Sequence, residues 1–124
     1  MPVVLIVDDN DKNRKLAASL LSAAGFETVE AATGAEGVSL GTERLPDVVL
    51  MDLRLPDMDG AEAARALHAD EGAVGVPVVA MTALRLEGID DWLEDAGFAG
   101  CLEKPIRVDT FAEQVRGYCV DAVE

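Results

Sequence analysis

The stretch of sequence that decides the fold is VVLMD at residues 48–52, where four consecutive apolar residues end on an aspartate. A strand with one face in solvent alternates apolar and polar residues, whereas a strand covered on both faces is apolar throughout. Nearly continuous apolar runs also occur at Val3–Val7 and Val76–Met81. These three runs predict strands of a parallel sheet that carries helices on both faces.

Two shorter runs, Thr28–Ala31 and Phe98–Leu102, raise the number of predicted strands to five. Apolar residues at helical spacing follow each strand. They are Leu16, Ala17, Leu20, Leu21 and Ala24 in the first segment, residues 35–43 in the second, Ala61, Ala64 and Leu67 in the third, Ile89, Trp92, Leu93 and Ala96 in the fourth, and Val108, Phe111, Ala112 and Val115 in the fifth. A strand–helix unit repeated five times predicts an α/β fold, and we expect the fourth stripe to be buried against the sheet.

The sequence also indicates where two of the helices begin or end. Asn10-Asp11 is a start signal for the first helix, and Gly25 is placed to end it. The second helix should be short, because Gly34, Gly37 and Gly41 each lower helix propensity by up to ~1 kcal/mol relative to alanine.

The composition is that of one acidic globular domain. The chain has 124 residues, 50% of them hydrophobic, with 24 acidic and 10 basic residues and a formal net charge of -14. A chain of this length is expected to bury a single core. The negative charge repels phosphate backbones and anionic lipids, which argues against nucleic acid or membrane surfaces as partners. Because no apolar run reaches the ~18 to 20 residues of a membrane span, we expect a cytoplasmic protein.

Reactive side chains lie at or just after the ends of four predicted strands. Asp8 and Asp9 follow the first strand, Asp52 the third and Thr82 the fourth, and Lys104 follows the fifth. Ligands of an open parallel sheet bind outside the carboxyl ends of its strands, so we expect these groups to converge at one edge. Singly, each has an ordinary structural explanation as a turn, cap or surface residue. Their occurrence at successive strand ends is what favours a functional site.

Three carboxylates at one edge repel one another unless a cation lies among them. Oxygen ligands without histidine or cysteine select a hard cation, and a site with room for water and phosphate oxygens suits Mg²⁺. Lys104 adds a positive charge and Thr82 a hydroxyl. Together these groups predict a phosphoryl-transfer site in which one carboxylate attacks phosphorus.

With these motifs the chain resembles the receiver domains of two-component response regulators over essentially its whole length. The matching segments are VLIVDDN at residues 4–10, PDVVLMDL at 46–53, LPDMDG at 55–60, PVVAMTA at 77–83 and Lys104-Pro105. The resemblance implies a flavodoxin-like (βα)5 three-layer sandwich whose five-stranded parallel sheet has the order 2-1-3-4-5. It also implies a single receiver domain over residues 1–124 with no output domain.

The resemblance assigns a role to each site residue. It implies that Asp52 accepts a phosphoryl group from a sensor histidine kinase or a histidine phosphotransfer protein. Asp9 would bind Mg²⁺ directly, Asp8 would bind it through water, and the Arg54 backbone carbonyl would complete the protein ligands. The chain would then be a signalling domain and not an enzyme.

The same resemblance implies a switch. Phosphorylation adds negative charge at Asp52, toward which Thr82 and Lys104 would move, and a cis bond is expected before Pro105. A downstream protein would read the change on the face made by the fourth helix, fifth strand and fifth helix, with the chain a monomer or a phosphorylation-dependent dimer. Arg54 and Leu84 would flank the phosphoryl group, and Leu84 with Leu86 would be partner-binding candidates.

Cys101 departs from the pattern of the family, which often has an aromatic residue three positions before the lysine. The thiol either packs inward as a small apolar group or is redox-sensitive, and inert packing is favoured because no activating histidine or arginine is near in sequence. Cys101 and Cys119 show neither a disulfide framework nor zinc-ligand spacing, so two buried thiols are expected.

Three other functions remain as alternatives. An aspartyl-phosphate phosphatase of the haloacid dehalogenase type needs an acid two residues after the nucleophile, where this chain has Arg54. A flavin-binding module needs a phosphate cradle in the first loop, where Asp8, Asp9 and Asp11 oppose an anion. A receiver that binds its partner without phosphorylation is suggested only by Cys101.

Overall fold

The computed structural model describes residues 2–82, 89–104 and 106–119, apart from the side chains of residues 89 and 90. Strands and helices alternate along the chain, and a short 3-10 turn at Glu71–Ala73 precedes the fourth strand. The strands are β1 Val3–Val7, β2 Glu27–Ala31, β3 Val48–Asp52, β4 Val78–Thr82 and β5 Gly100–Glu103. The helices are α1 Asp11–Ala23, α2 Gly34–Arg44, α3 Gly60–His68, α4 Ile89–Asp95 and α5 Phe111–Tyr118.

The five strands form one parallel sheet of order β2-β1-β3-β4-β5. The central strand, β3, places Leu50 between Ile6 of β1 and Val79 of β4. This confirms the predicted flavodoxin-like α/β sandwich and its strand order 2-1-3-4-5. Because all strands run in the same direction, their carboxyl ends meet at one edge.

Side chains of the strands alternate between two cores, one on each face of the sheet. Leu5 and Val7 belong to the core that α2, α3 and α4 cover, whereas Val4 and Ile6 belong to the core that α1 and α5 cover. Both faces are therefore shielded from water, which explains why β1, β3 and β4 are apolar without alternation.

The prediction that α2 is short is wrong, because the helix spans 11 residues. Its three glycines are buried and face neighbouring elements. A Cβ at Gly37 would lie 2.7 Å from Cγ2 of Val7, and a Cβ at Gly41 would lie 2.6 Å from Cδ1 of Leu67. The glycines thus weaken the helix locally but let it approach the sheet and α3, and the packing outweighs the propensity.

Three strands begin at a different residue than predicted, and β2 begins one residue earlier, at Glu27. β4 begins two residues later than predicted, because the Val76 N–H donates to the Ala73 carbonyl at 3.0 Å and closes the 3-10 turn. β5 begins two residues later as well, because the Phe98 N–H donates to the Leu93 carbonyl at 2.9 Å at the end of α4.

Three residues of the predicted helix stripes are not in the core. Leu16 is 41% exposed, and Trp92 is 47% exposed although Leu93 and Ala96 are buried, so the expected burial of the fourth stripe is wrong for Trp92. Val108 is 65% exposed and lies in the turn before α5. Other members of these stripes, among them Leu21, Leu93 and Phe111, are buried and cover the sheet. No helix among residues 2–82, 89–104 and 106–119 is long and apolar enough to cross a lipid bilayer.

The close contact of Gly37 with Val7 generates a test of the α2 packing. Gly37→Ala should destabilise the protein by about 1–2 kcal/mol, because the stiff, buried Val7 side chain cannot move away and overpacking outweighs the gain in helix propensity. The control is Gly75→Ala, since a Cβ at Gly75 meets no atom within 4 Å. Urea denaturation measures both variants; equal stabilities of the two would contradict the packing argument.

Candidate functional site

The predicted site residues lie together at the carboxyl edge of the sheet. One carboxylate oxygen from each of Asp8, Asp9 and Asp52 can be chosen so that all three lie within 4.8 Å of one another. A cleft of about 440 Å³ opens beside them. Its lining residues are Asp9, Asn10, Asn13, Asp52, Leu53, Arg54, Thr82 and Lys104. The structure therefore brings together the acids, the hydroxyl and the lysine that the strand ends predict.

The Lys104 ammonium bridges two of the three acids. Its Nζ lies 3.1 Å from Oδ2 of Asp8 and 3.1 Å from Oδ2 of Asp52. Burial alone lowers the pKa of Lys104, but the two carboxylates outweigh burial and the pKa is raised. Lys104 is also fixed by its backbone, because its N–H donates to the Thr82 carbonyl at 3.0 Å and continues the β4–β5 pairing. The lysine is thus held as a cation at the floor of the cleft.

Asp52 is the acid whose ionisation the structure disfavours. Burial raises the pKa of Asp52, and the charge of Asp8 raises it further. The Arg54 N–H, which donates to Oδ1 at 3.1 Å, and Lys104 at Oδ2 act in the opposite direction without cancelling the effect of burial. Both oxygens therefore have a fixed hydrogen-bond partner.

The turn after β1 holds the other two acids. Asp8 is 2% exposed and its Oδ1 accepts the Asn10 N–H at 2.9 Å, whereas Asp9 lies exposed at the rim of the cleft. Asn10 in turn caps α1, because its Oδ1 accepts the Asn13 N–H at 3.0 Å. The predicted helix start at Asn10-Asp11 is confirmed, and the same turn orients the acidic pair.

Two contributors to the site were missed in the sequence. Arg14 donates through Nη1 to the Asp8 carbonyl at 2.8 Å and through Nε to Glu30 at 3.1 Å, which joins α1, β1 and β2 beside the acids. Asp57 binds two backbone amides of α2. Neither residue is at a strand end, and the pairs Arg14–Glu30 and Asp57–Gly34 are 16 and 23 positions apart, so the strand-end pattern does not identify them.

The acidic cluster fits a divalent cation. Three ionised carboxylates and one ammonium give a formal charge of -3 + 1 = -2, which one divalent cation would neutralise. All of the side-chain donors are oxygens, the ligand type that Mg²⁺ prefers. Burial, which is the largest cause of the raised pKa of Asp52, and the nearby charge of Asp8 together outweigh the stabilisation that the Arg54 N–H and Lys104 give to the ionised carboxylate.

The remaining predicted residues lie elsewhere or outside the described part of the chain. Cys119 is buried, but Cys101 on β5 is only half-buried, so the expectation of two buried thiols is wrong for Cys101. Cys101 lines a second cleft of about 530 Å³ between β5 and α5. Leu84, Leu86 and Pro105, and with Pro105 the expected cis bond, fall outside the described residues.

An open parallel sheet with a carboxylate cleft at its strand ends is the architecture of receiver domains, and the comparisons agree. The family model described as response regulator receiver domain matches residues 4–116. The chain therefore belongs to the response regulator receiver domain family and is a signalling protein.

Named relatives and solved structures support the same family over nearly the whole chain. The polar-differentiation response regulator DivK of Brucella ovis is 38% identical over 119 residues, which cover 96% of this chain and 97% of DivK. The chemotaxis protein CheY4 of Vibrio cholerae has a TM-score of 0.89 at 26% identity, with 95% of this chain and 98% of CheY4 covered. A putative response regulator of Chloroflexus aurantiacus has a TM-score of 0.86 at 26% identity, covering 94% and 96% of the two chains.

The raised pKa of Asp52 predicts a pH-dependent stability difference in protein freed of divalent cations. An acid whose folded pKa lies above its unfolded value binds its proton more tightly in the folded state, so its ionisation destabilises the fold as pH rises. Asp52→Asn should therefore melt at a higher temperature than the wild type at pH 7. The difference should shrink as pH falls toward about 4, near the ordinary pKa of aspartate. Thermal melts in EDTA measure this; a less stable variant at pH 7 would contradict it.

Proposed function

We propose that Asp52 accepts a phosphoryl group from a phosphohistidine of a sensor histidine kinase or histidine phosphotransfer protein, with Mg²⁺ bound at Asp8 and Asp9. The protein then signals by phosphorylation-dependent binding of another protein. The observation that carries the proposal is the state of Asp52, which is a partly desolvated carboxylate beside two further acids and one lysine.

The geometry suits Asp52 as the nucleophile. The Arg54 N–H and the Lys104 ammonium each hold one carboxylate oxygen of Asp52. The side chain is therefore already fixed in one rotamer at the cleft. In the transfer, an Asp52 oxygen forms a bond to phosphorus while the phosphorus–nitrogen bond breaks, and the histidine nitrogen keeps the electron pair. Asp52 is favoured over Asp9 in this role because Asp52 is partly buried and held at both oxygens, whereas Asp9 is exposed.

The cation site follows from the residues around Asp52. Asp9 would bind Mg²⁺ directly, Asp8 through a water molecule, and the Arg54 backbone carbonyl would be the third protein contribution. When bound, Mg²⁺ neutralises the phosphoryl oxygens during transfer. Asp8 is suited to the indirect position because one of its oxygens accepts the Asn10 N–H and the other pairs with Lys104.

Two residues respond to the new charge. Lys104 already bridges Asp8 and Asp52, so its ammonium can pair with the phosphoryl oxygens after a small movement. Thr82 lines the same cleft and offers a hydroxyl. Because the Lys104 N–H is bonded to the Thr82 carbonyl, a shift of either residue is shared by the ends of β4 and β5.

A partner surface follows from this coupling. β4 leads towards α4 and β5 towards α5, so we place the phosphorylation-dependent partner on the face of α4, β5 and α5. Arg54, the residue two positions after Asp52, supplies no second carboxylate for phosphatase turnover. The proposed product is therefore the phosphorylated protein itself, which acts as a signal, and not the alcohol that a phosphatase would release from a phosphoester.

The proposal predicts that labelling depends on one side chain. The wild-type protein should take up one phosphoryl group from a small phosphoramidate donor with Mg²⁺, as measured by intact mass spectrometry. Asp52→Asn and Asp52→Ala should abolish the labelling, because no other acid in the cleft is both desolvated and held by Lys104 and Arg54. The matched control, Asp91→Asn on the exposed face of α4, should be labelled like the wild type. Undiminished labelling of Asp52→Asn would refute the assignment.

A further inference from the structure

We infer that Asp57 is a positioning residue for the acceptor site, which it serves by fixing the loop that carries Arg54. This acceptor loop comprises residues 53–59. The inference rests on the proposed function of Asp52. It gives a role to Asp57, which is not at a strand end and does not line the cleft.

The base of the acceptor loop is closed by backbone contacts. The Gly60 N–H donates to the Leu53 carbonyl at 2.9 Å, and Arg54 pairs with Asp59 in an isolated antiparallel bridge. Gly60 has no room for a side chain, since a Cβ there would lie 2.6 Å from the Asp52 carbonyl oxygen. The loop therefore leaves and rejoins the fold directly beneath the acceptor.

The tip of the acceptor loop is tied to α2 by Asp57. Its Oδ1 accepts the Gly34 N–H at 2.8 Å and its Oδ2 accepts the Ala35 N–H at 2.9 Å, so both oxygens of one carboxylate bind consecutive amides. Met58 packs beside this contact, where a Cβ at Gly34 would lie 2.4 Å from Cγ of Met58. A side chain at Gly34 would therefore have to displace Met58 from the tip of the loop.

A carboxylate is well suited to this contact. Gly34 and Ala35 are the first residues of α2, where amides lack helical partners and the helix dipole favours negative charge. The cap Thr33 already accepts the Glu36 N–H, and Glu36 accepts the Ala32 N–H, so these groups are engaged elsewhere. The amide bonds lower the pKa of Asp57, as expected for an anion that they stabilise.

The attachment of the tip affects the acceptor site because the backbone of Arg54, at the base of the same loop, contacts Asp52. The Arg54 N–H holds Oδ1 of Asp52, and the proposed cation site includes the Arg54 carbonyl. Arg54 belongs to the base of the loop and lies three residues from Asp57, which attaches the tip. Loss of the Asp57 bonds would leave the loop attached at its base alone, and both functions of the Arg54 backbone would then be less well oriented.

The test compares Asp57→Ala with Asp47→Ala. Asp47 also accepts a backbone amide, from Val3 at 2.6 Å, but at the opposite end of the sheet from the cleft. Both variants should lose some thermal stability, so stability alone does not distinguish a positioning role. Asp57→Asn serves as a milder variant that keeps one acceptor oxygen.

Two readouts decide the inference. In Mg²⁺-free protein, hydrogen exchange of the Arg54 amide should be faster in Asp57→Ala than in the wild type and unchanged in Asp47→Ala. In calorimetric titrations with MgCl₂, the dissociation constant should rise about 10-fold in Asp57→Ala and less in Asp57→Asn, with Asp47→Ala close to the wild type. Protected Arg54 exchange together with an unchanged dissociation constant in both Asp57 variants would overturn the inference.

The outcome is separable from that of the proposed function. The proposal that Asp52 accepts a phosphoryl group is refuted if the wild type is not labelled, whatever the Asp57 variants show. The positioning role fails if the Asp57 variants leave Arg54 exchange and Mg²⁺ binding as in the wild type, even when Asp52 is labelled. With saturating Mg²⁺, Asp57→Ala should regain the labelling extent of the wild type, whereas Asp52→Asn should not.

Discussion

The structure depends on the balance of charge around the Lys104 ammonium, which lies 3.1 Å from both Asp8 and Asp52. A parallel sheet forces its strand ends together, and here three of the groups that meet are carboxylates. One ammonium reduces their repulsion but leaves the pKa of Asp52 raised. Burial of Asp52 and its repulsion by Asp8 are a cost in stability that the two apolar cores must offset, and a divalent cation among the three acids would reduce that cost.

The surrounding fold holds these charged side chains in a defined geometry. Two of the three acids and the lysine are fixed by backbone contacts: Asp8 by the Asn10 amide, Asp52 by the Arg54 amide, and Lys104 by the Thr82 carbonyl. All three contacts belong to turns that directly follow, or join, strand ends. The site is therefore built on the strand ends, and in chain order β4 precedes α4 and β5 precedes α5, which are the helices of the proposed partner face.

Much of the fold and of the site could be predicted because both follow from local pattern. Continuous apolar runs locate β1, β3 and β4, and the residues after them include the acids and the hydroxyl of the cleft. The length of α2 and the two missed site residues depend on contacts between distant segments. The length of α2 is set by glycine packing on Val7, and the ties made by Arg14 and Asp57 join residues 16 and 23 positions apart. No periodic pattern in the sequence indicates that these residues contact each other.

The most direct test of the central claim is the melting temperature of the wild-type protein as a function of MgCl₂ concentration, at constant ionic strength and pH 7. If the carboxylate cluster is a divalent-cation site, the melting temperature should rise with Mg²⁺. Above the dissociation constant, the folded state should gain about 1.4 kcal/mol for each tenfold increase in concentration. Asp9→Asn should reduce the rise. A melting temperature that does not change with Mg²⁺ in the wild type would contradict the account.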